Sequence, residues 1–197
     1  MFFVPIAGFF FDFHSVLGIT ALFHLSSNIS KIALFKNGFD KQLVIRIGIP
    51  AVLFVIVGAF LSNHFDSKLL EIILGVFLIA ISLLLIFFKR TLNPTFTNAV
   101  GGGSLSGLTA GLLGTGGAIR GLTLAAFDLP KEIFIATSAI IDLGIDLSRS
   151  VVYFSNGFIH KHDLYLVVIL FIVSFTGTFI GKKCSIFFLN SNSGASC

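Results

Sequence analysis

Ser138-Ala139-Ile140-Ile141-Asp142-Leu143-Gly144-Ile145-Asp146-Leu147-Ser148-Arg149-Ser150-Val151-Val152-Tyr153 is an apolar run in which Ser138, Asp142, Asp146, Arg149 and Tyr153 recur every three or four residues. At about 100° per residue these five fall within an arc of about 80°, so the run reads as a helix carrying one polar stripe. The whole chain shares its apolar character. Of 197 residues, 55% are hydrophobic and 11% charged, with a mean hydropathy of +1.02, whereas a soluble domain carries about 25% charged residues. A water-soluble globular fold is excluded. The expected fold is all-α, a polytopic membrane protein of about six to seven transmembrane helices.

Working outward, apolar stretches lie at 2–11, 15–35, 43–61, 69–88, 98–127, 133–154 and 164–181. Turn and helix-stop signals separate them: Asn37-Gly38, Ser62-Asn63-His64, Asn93-Pro94, Asp128-Leu129-Pro130 and Asn156-Gly157. Loops are short, and no soluble insertion is expected. If 98–127 crosses once, one side carries Lys36, Lys41, Lys89, Arg90 and Lys161, against Lys68, Lys131, Lys182 and Lys183 on the other. That weak bias favours placing the two Asn-Gly loops in the cytoplasm. The formal charge of +4 is spread over single or paired Lys and Arg, so the expected partners are the lipid bilayer and a small anionic substrate rather than nucleic acid. A homo-oligomer is left open. Neither Cys184 nor Cys197 has metal or redox spacing, and the apolar N-terminus lacks a signal-peptide pattern.

The stripe occurs twice. Thr20, His24, Asn28, Lys31 and Phe35 stand opposite Ser138, Asp142, Asp146, Arg149 and Tyr153 at a shift of 118 residues. Asn37-Gly38-Phe39 matches Asn156-Gly157-Phe158 at 119, and Phe11-Asp12 matches Phe127-Asp128 at 116. The chain therefore reads as two repeats, 1–92 and 93–197. Counting four crossings between the Asn-Gly loops, the repeats are expected to be parallel, related by an axis along the membrane normal. The first repeat is expected to lack an opening glycine-rich helix, and the second a closing helix.

The chemistry concentrates in the second repeat. Arg120 is the sole ionised residue of Ala99–Phe127, and a charge at mid-membrane costs about 2.5–3.5 kcal/mol even on the lenient insertion scale, so it must face protein or water. Gly114-Thr115-Gly116-Gly117 can break the helix and turn backbone N–H groups into a cavity, which with Arg120 makes an anion site. The competing expectation is close helix packing, with Arg120 reaching an interface. Asp146 and Arg149 at i,i+3 can neutralise each other, which leaves Asp142 as the expected carrier of a coupling proton. His24, its counterpart, is the second candidate, and Asp146 completes the proton-coupling set. A stripe that merely ties helices together by hydrogen bonds is the alternative. Phosphate-loop, dinucleotide, zinc and catalytic-dyad spacings are absent, so no cofactor, metal or enzymatic activity is expected. His160-Lys161-His162-Asp163 lacks the further ligands of a metal site.

Gly111-Leu112-Leu113-Gly114-Thr115-Gly116-Gly117-Ala118-Ile119-Arg120, Pro130, and Ile135-Ala136-Thr137-Ser138 before an aspartate-bearing helix and Asn156-Gly157 resemble the second repeat of the TauE/SafE sulfite exporter family. The resemblance covers about residues 3–187. It implies a multi-pass permease of the cell membrane, of the bacterial inner-membrane type, exporting sulfite, sulfonate or a related organic anion. The family's glycine motif falls on Gly114, Gly116 and Gly117, and its Ala-Thr-Ser motif on Ala136, Thr137 and Ser138. The implied substrate-binding set is then Gly114, Thr115, Gly116, Gly117, Arg120, Thr137 and Ser138. The first repeat keeps only Gly18-Ile19-Thr20 of the latter motif, and Ala118 replaces a frequent third glycine. A non-transporting remnant or helix-packing subunit is the competing expectation.

Overall fold

The structure, a computed structural model, describes residues 3–34, 38–87, 93–159 and 169–181. Among these the regular elements are helices. Helix α1 (Phe3–Ala7) turns into α2 (Phe13–Leu34). Helix α3 (Lys41–Leu43), a π-helical turn (Val44–Gly48) and α4 (Ile49–Ser62) run on as one rod. Helices α5 (Ser67–Phe87), α6 (Phe96–Leu113), α7 (Gly117–Ala125) and α8 (Lys131–Ser155) follow, and then α9 (Ile169–Gly181). Phe35, Lys89-Arg90, the His160–Asp163 cluster, Lys182-Lys183 and both cysteines lie outside the described residues.

Local sequence explains the boundaries. The Asp40 carboxylate accepts from the Leu43 N–H at 3.0 Å and opens α3. Thr95 does the same for α6, accepting from Asn98 at 3.3 Å. Pro50 cannot donate back to Arg46, and its ring pushes against that carbonyl; the widened π-helical turn lies immediately before it. The rod Lys41–Ser62 and α5 have mean hydropathies of 2.5 and 3.0 and are long enough to cross a bilayer. Helix α5 buries Leu70 and Leu74, while Ile72, Val76, Ile79 and Leu83 face outward, as suits a helix in contact with lipid.

Two packings fix the helix directions. Gly103, Gly107 and Gly111 lie directly on the carbonyls of Ile47, Ala51 and Val55. Both series ascend together, so α6 runs parallel to the rod. A Cβ at any of the three glycines would overlap main chain of the rod, and the loss of helix propensity is offset by this close approach. In contrast, α2 and α8 run antiparallel: Gly18 abuts the Phe158 carbonyl, Asn28 meets Asp146, and the Asp40 N–H donates to Thr137 Oγ1 at 3.0 Å.

Two expectations are thereby corrected. The 98–127 stretch does not cross once. Gly116 rests on the Ser106 carbonyl and Thr123 on Gly102, so α7 folds back along α6 as a re-entrant hairpin with its tip at 114–116. Losing one crossing reverses the parity of all that follows, and the repeats are inverted rather than parallel. The equivalent helices α2 and α8 are antiparallel and touch through equivalent residues, Asn28 and Asp146, which puts a local two-fold axis in the membrane plane between them.

Candidate functional site

The hairpin tip brings together two helix ends of opposite polarity. The last carbonyls of α6 have no partner within the helix, yet they are satisfied. Gly114, in the left-handed conformation at φ 72°, donates its N–H to the Ala110 carbonyl at 3.1 Å. Arg149 Nη1 donates to the same carbonyl at 3.2 Å, and the Tyr153 hydroxyl donates to the Gly111 carbonyl. A buried cation at a helix C-terminus complements the dipole there.

The start of α7 is left open. Its cap residue Gly116 provides no side-chain acceptor, and the first intrahelical bond is Arg120 N–H to the Gly116 carbonyl at 3.2 Å. The preceding N–H groups point along the positive end of the helix. They lie at a cavity of about 140 Å³ lined by Gly114, Thr115, Gly116, Gly117, Arg120, His24, Lys31, Asp142, Asp146 and Arg149 among others. At about 30 Å³ per water in the liquid, this is room for several waters or an anion of a few heavy atoms.

Ion pairs organise the walls. Arg120 pairs with Asp142, and Ser138 bridges them, accepting from Arg120 Nε at 3.4 Å and donating to Asp142 at 3.5 Å. Arg149 Nη2 pairs with Asp146 at 2.7 Å. Asn28 Nδ2 donates to the other Asp146 oxygen at 2.6 Å, and Lys31 Nζ donates to Asn28 Oδ1 at 3.0 Å. A polar chain, Lys31 to Asn28 to Asp146 to Arg149, thus crosses the two-fold axis. Both ion pairs sit well out of solvent, where breaking either one would strand a buried charge.

Most of the candidate residues converge. Gly114, Thr115, Gly116, Gly117, Arg120, His24, Asp142 and Asp146 share the one cavity. Ser138 stands behind it, holding Arg120 to Asp142. Thr137, one residue away and so about 100° round the helix, turns from the cavity and secures the start of α3 through Asp40. Asp142 is not left without a cation, as the i,i+3 reading expected: Arg120, from another helix, takes that place. The sequence reading left Lys31 and Arg149 out of the site, although both belong to the repeated stripe. Val4, at the position equivalent to Arg120 at a shift of 116, lines the cavity from the other side of the axis.

A family model described as Sulfite exporter TauE/SafE matches residues 1–188. No curated protein and no solved structure matches the chain.

Proposed function

The chain belongs to the TauE/SafE sulfite exporter family, a family of membrane permeases rather than enzymes, and from that premise we propose that it carries sulfite, a sulfonate or a related small anion through the cavity at the hairpin tip. The observation that carries this reading is the open N-terminus of α7 facing the same cavity as the Arg120–Asp142 pair. Backbone N–H groups and a guanidinium are a matched donor set for an oxyanion, and the site lies where a broken helix leaves backbone free to bind.

Arg120 has one guanidinium and two claimants. With the cavity vacant, it pairs with Asp142. An entering anion takes the guanidinium, and the carboxylate so displaced, shielded from water, takes up a proton. Anion binding and proton uptake are then linked through one exchange of partners, with Ser138 guiding the arginine. His24 faces the same space and serves as the relay toward Asp142. Asp146 acts by position, holding Arg149 and Asn28 across the axis. Inverted repeats around a central site are the architecture of alternating access, in which one repeat rocks against the other.

The corrected parity also supports an orientation. Turning 98–127 back moves Lys131 to the side of Lys36, Lys41, Lys89 and Arg90, and leaves Lys161 with Lys68. By the positive-inside rule the open end of the hairpin faces the cytoplasm, as expected for a multi-pass protein of the bacterial inner membrane. The test is flux of radiolabelled sulfite into proteoliposomes under an imposed pH gradient. Arg120→Ala should abolish flux with insertion intact, and undiminished flux would remove Arg120 from the site.

A further inference from the structure

We infer that Lys31 supplies the uncompensated positive charge of the cavity and sets it to hold a singly charged oxyanion. The inference rests on the anion reading above and adds the residue and the charge class. Three cationic side chains line the cavity, Lys31, Arg120 and Arg149, against two carboxylates, Asp142 and Asp146. Each arginine has its own aspartate. Among the described residues, Lys31 has no carboxylate within ion-pair distance, and its one hydrogen bond goes to the neutral Asn28 amide at 3.0 Å.

The two-fold axis explains the imbalance. Across it, Lys31 corresponds to Arg149, Asn28 to Asp146 and His24 to Asp142. The second repeat gives both of its cations a carboxylate; the first keeps the cation and replaces both carboxylates with neutral groups. One net positive charge results, located on Lys31. Arg149, with a side chain 2% exposed, is committed to Asp146 and to the end of α6 but retains a buried Nε–H without an acceptor among the described residues. That donor faces the same cavity as the open start of α7. A cation, a spare guanidinium donor and helix N–H groups around about 140 Å³ suit a compact oxyanion with one charge.

The test uses the full chain purified in detergent, with equilibrium binding of methanesulfonate, a fixed monoanion, and of sulfate, a dianion of similar size. Wild type should bind methanesulfonate in preference to sulfate. Lys31→Gln should weaken methanesulfonate about 10- to 100-fold, the span expected for losing one charged hydrogen bond, while Lys31→Arg should stay within a few-fold of wild type. Asn28→Asp leaves Lys31 in place and neutralises it, and should weaken binding as Lys31→Gln does. Thermal unfolding of each variant separates this from loss of fold. Wild-type affinity in Lys31→Gln, or sulfate binding as well as methanesulfonate, would overturn the inference, as would absence of methanesulfonate binding by wild type. Binding that follows this pattern without any flux in proteoliposomes would uphold Lys31 and refute transport instead.

Discussion

Replacing Arg149 with Met keeps most of the side chain's bulk and removes its charge. In the structure this strands Asp146, whose carboxylate keeps the Asn28 amide at 2.6 Å but loses its cation at 2.7 Å. It also strips a donor from the Ala110 carbonyl, which retains Gly114. Removing one partner of a buried ion pair costs about 3–5 kcal/mol, and the weakened cap at the end of α6 adds about 1 kcal/mol. At about 2–4 °C per kcal/mol for a chain of this size, Tm should fall by on the order of 10 °C or more. Adding Asp146→Leu removes the stranded charge, and the double variant should recover most of the loss, because the pair owes its cost to desolvation. Thermal unfolding in detergent, followed by loss of monodisperse protein, reads the effect. If Arg149→Met melts with wild type, or the double variant melts no higher than the single, the reasoning about this pair is wrong.

Other outcomes follow from the same geometry. Gly107→Leu should prevent accumulation of folded protein in the membrane, since any side chain there meets the main chain of Ala51; wild-type yield would argue against the close α4–α6 packing. Cysteines placed at Thr95 and Asp128 should react with an impermeant thiol reagent from the same side, and one at His64 from the opposite side. Labelling of Thr95 and Asp128 from opposite sides would restore a single crossing by 98–127. Asp142→Asn should leave Arg120 accessible to the anion while uncoupling uptake from a pH gradient, which counterflow of labelled sulfite with and without the gradient can separate; retained coupling would exclude Asp142 as the proton carrier.

Much of this was legible in the sequence because polar residues in apolar helices are costly and therefore informative. The stripe at a shift of 118 anticipated that α2 and α8 are equivalents, and Asn28 and Asp146, exactly one repeat apart, are in contact. The break at Gly114 was legible too, since glycines there cannot sustain a helix. Its consequence was not. A break states that the helix ends, while the return of α7 along α6 depends on Gly102, Gly116, Ser106 and Thr123 meeting in space. One misread crossing then turned inverted repeats into parallel ones. Partner choice was hidden for the same reason: spacing along α8 paired Asp146 with Arg149 correctly, but the cation for Asp142 comes from a helix 22 residues earlier in the chain. Thr137 came with its neighbour Ser138 through the family motif, although a step of about 100° sends the two side chains to different tasks.

The central claim is that an anion and Asp142 compete for Arg120 at the hairpin tip. It is tested most directly by measuring, in one set of proteoliposomes, radiolabelled sulfite flux through wild type, Arg120→Ala and Arg120→Lys. The account predicts flux through wild type, none through Arg120→Ala, and a reduced flux through Arg120→Lys, which keeps the charge and loses the planar donor pair. Equal flux through all three would contradict it.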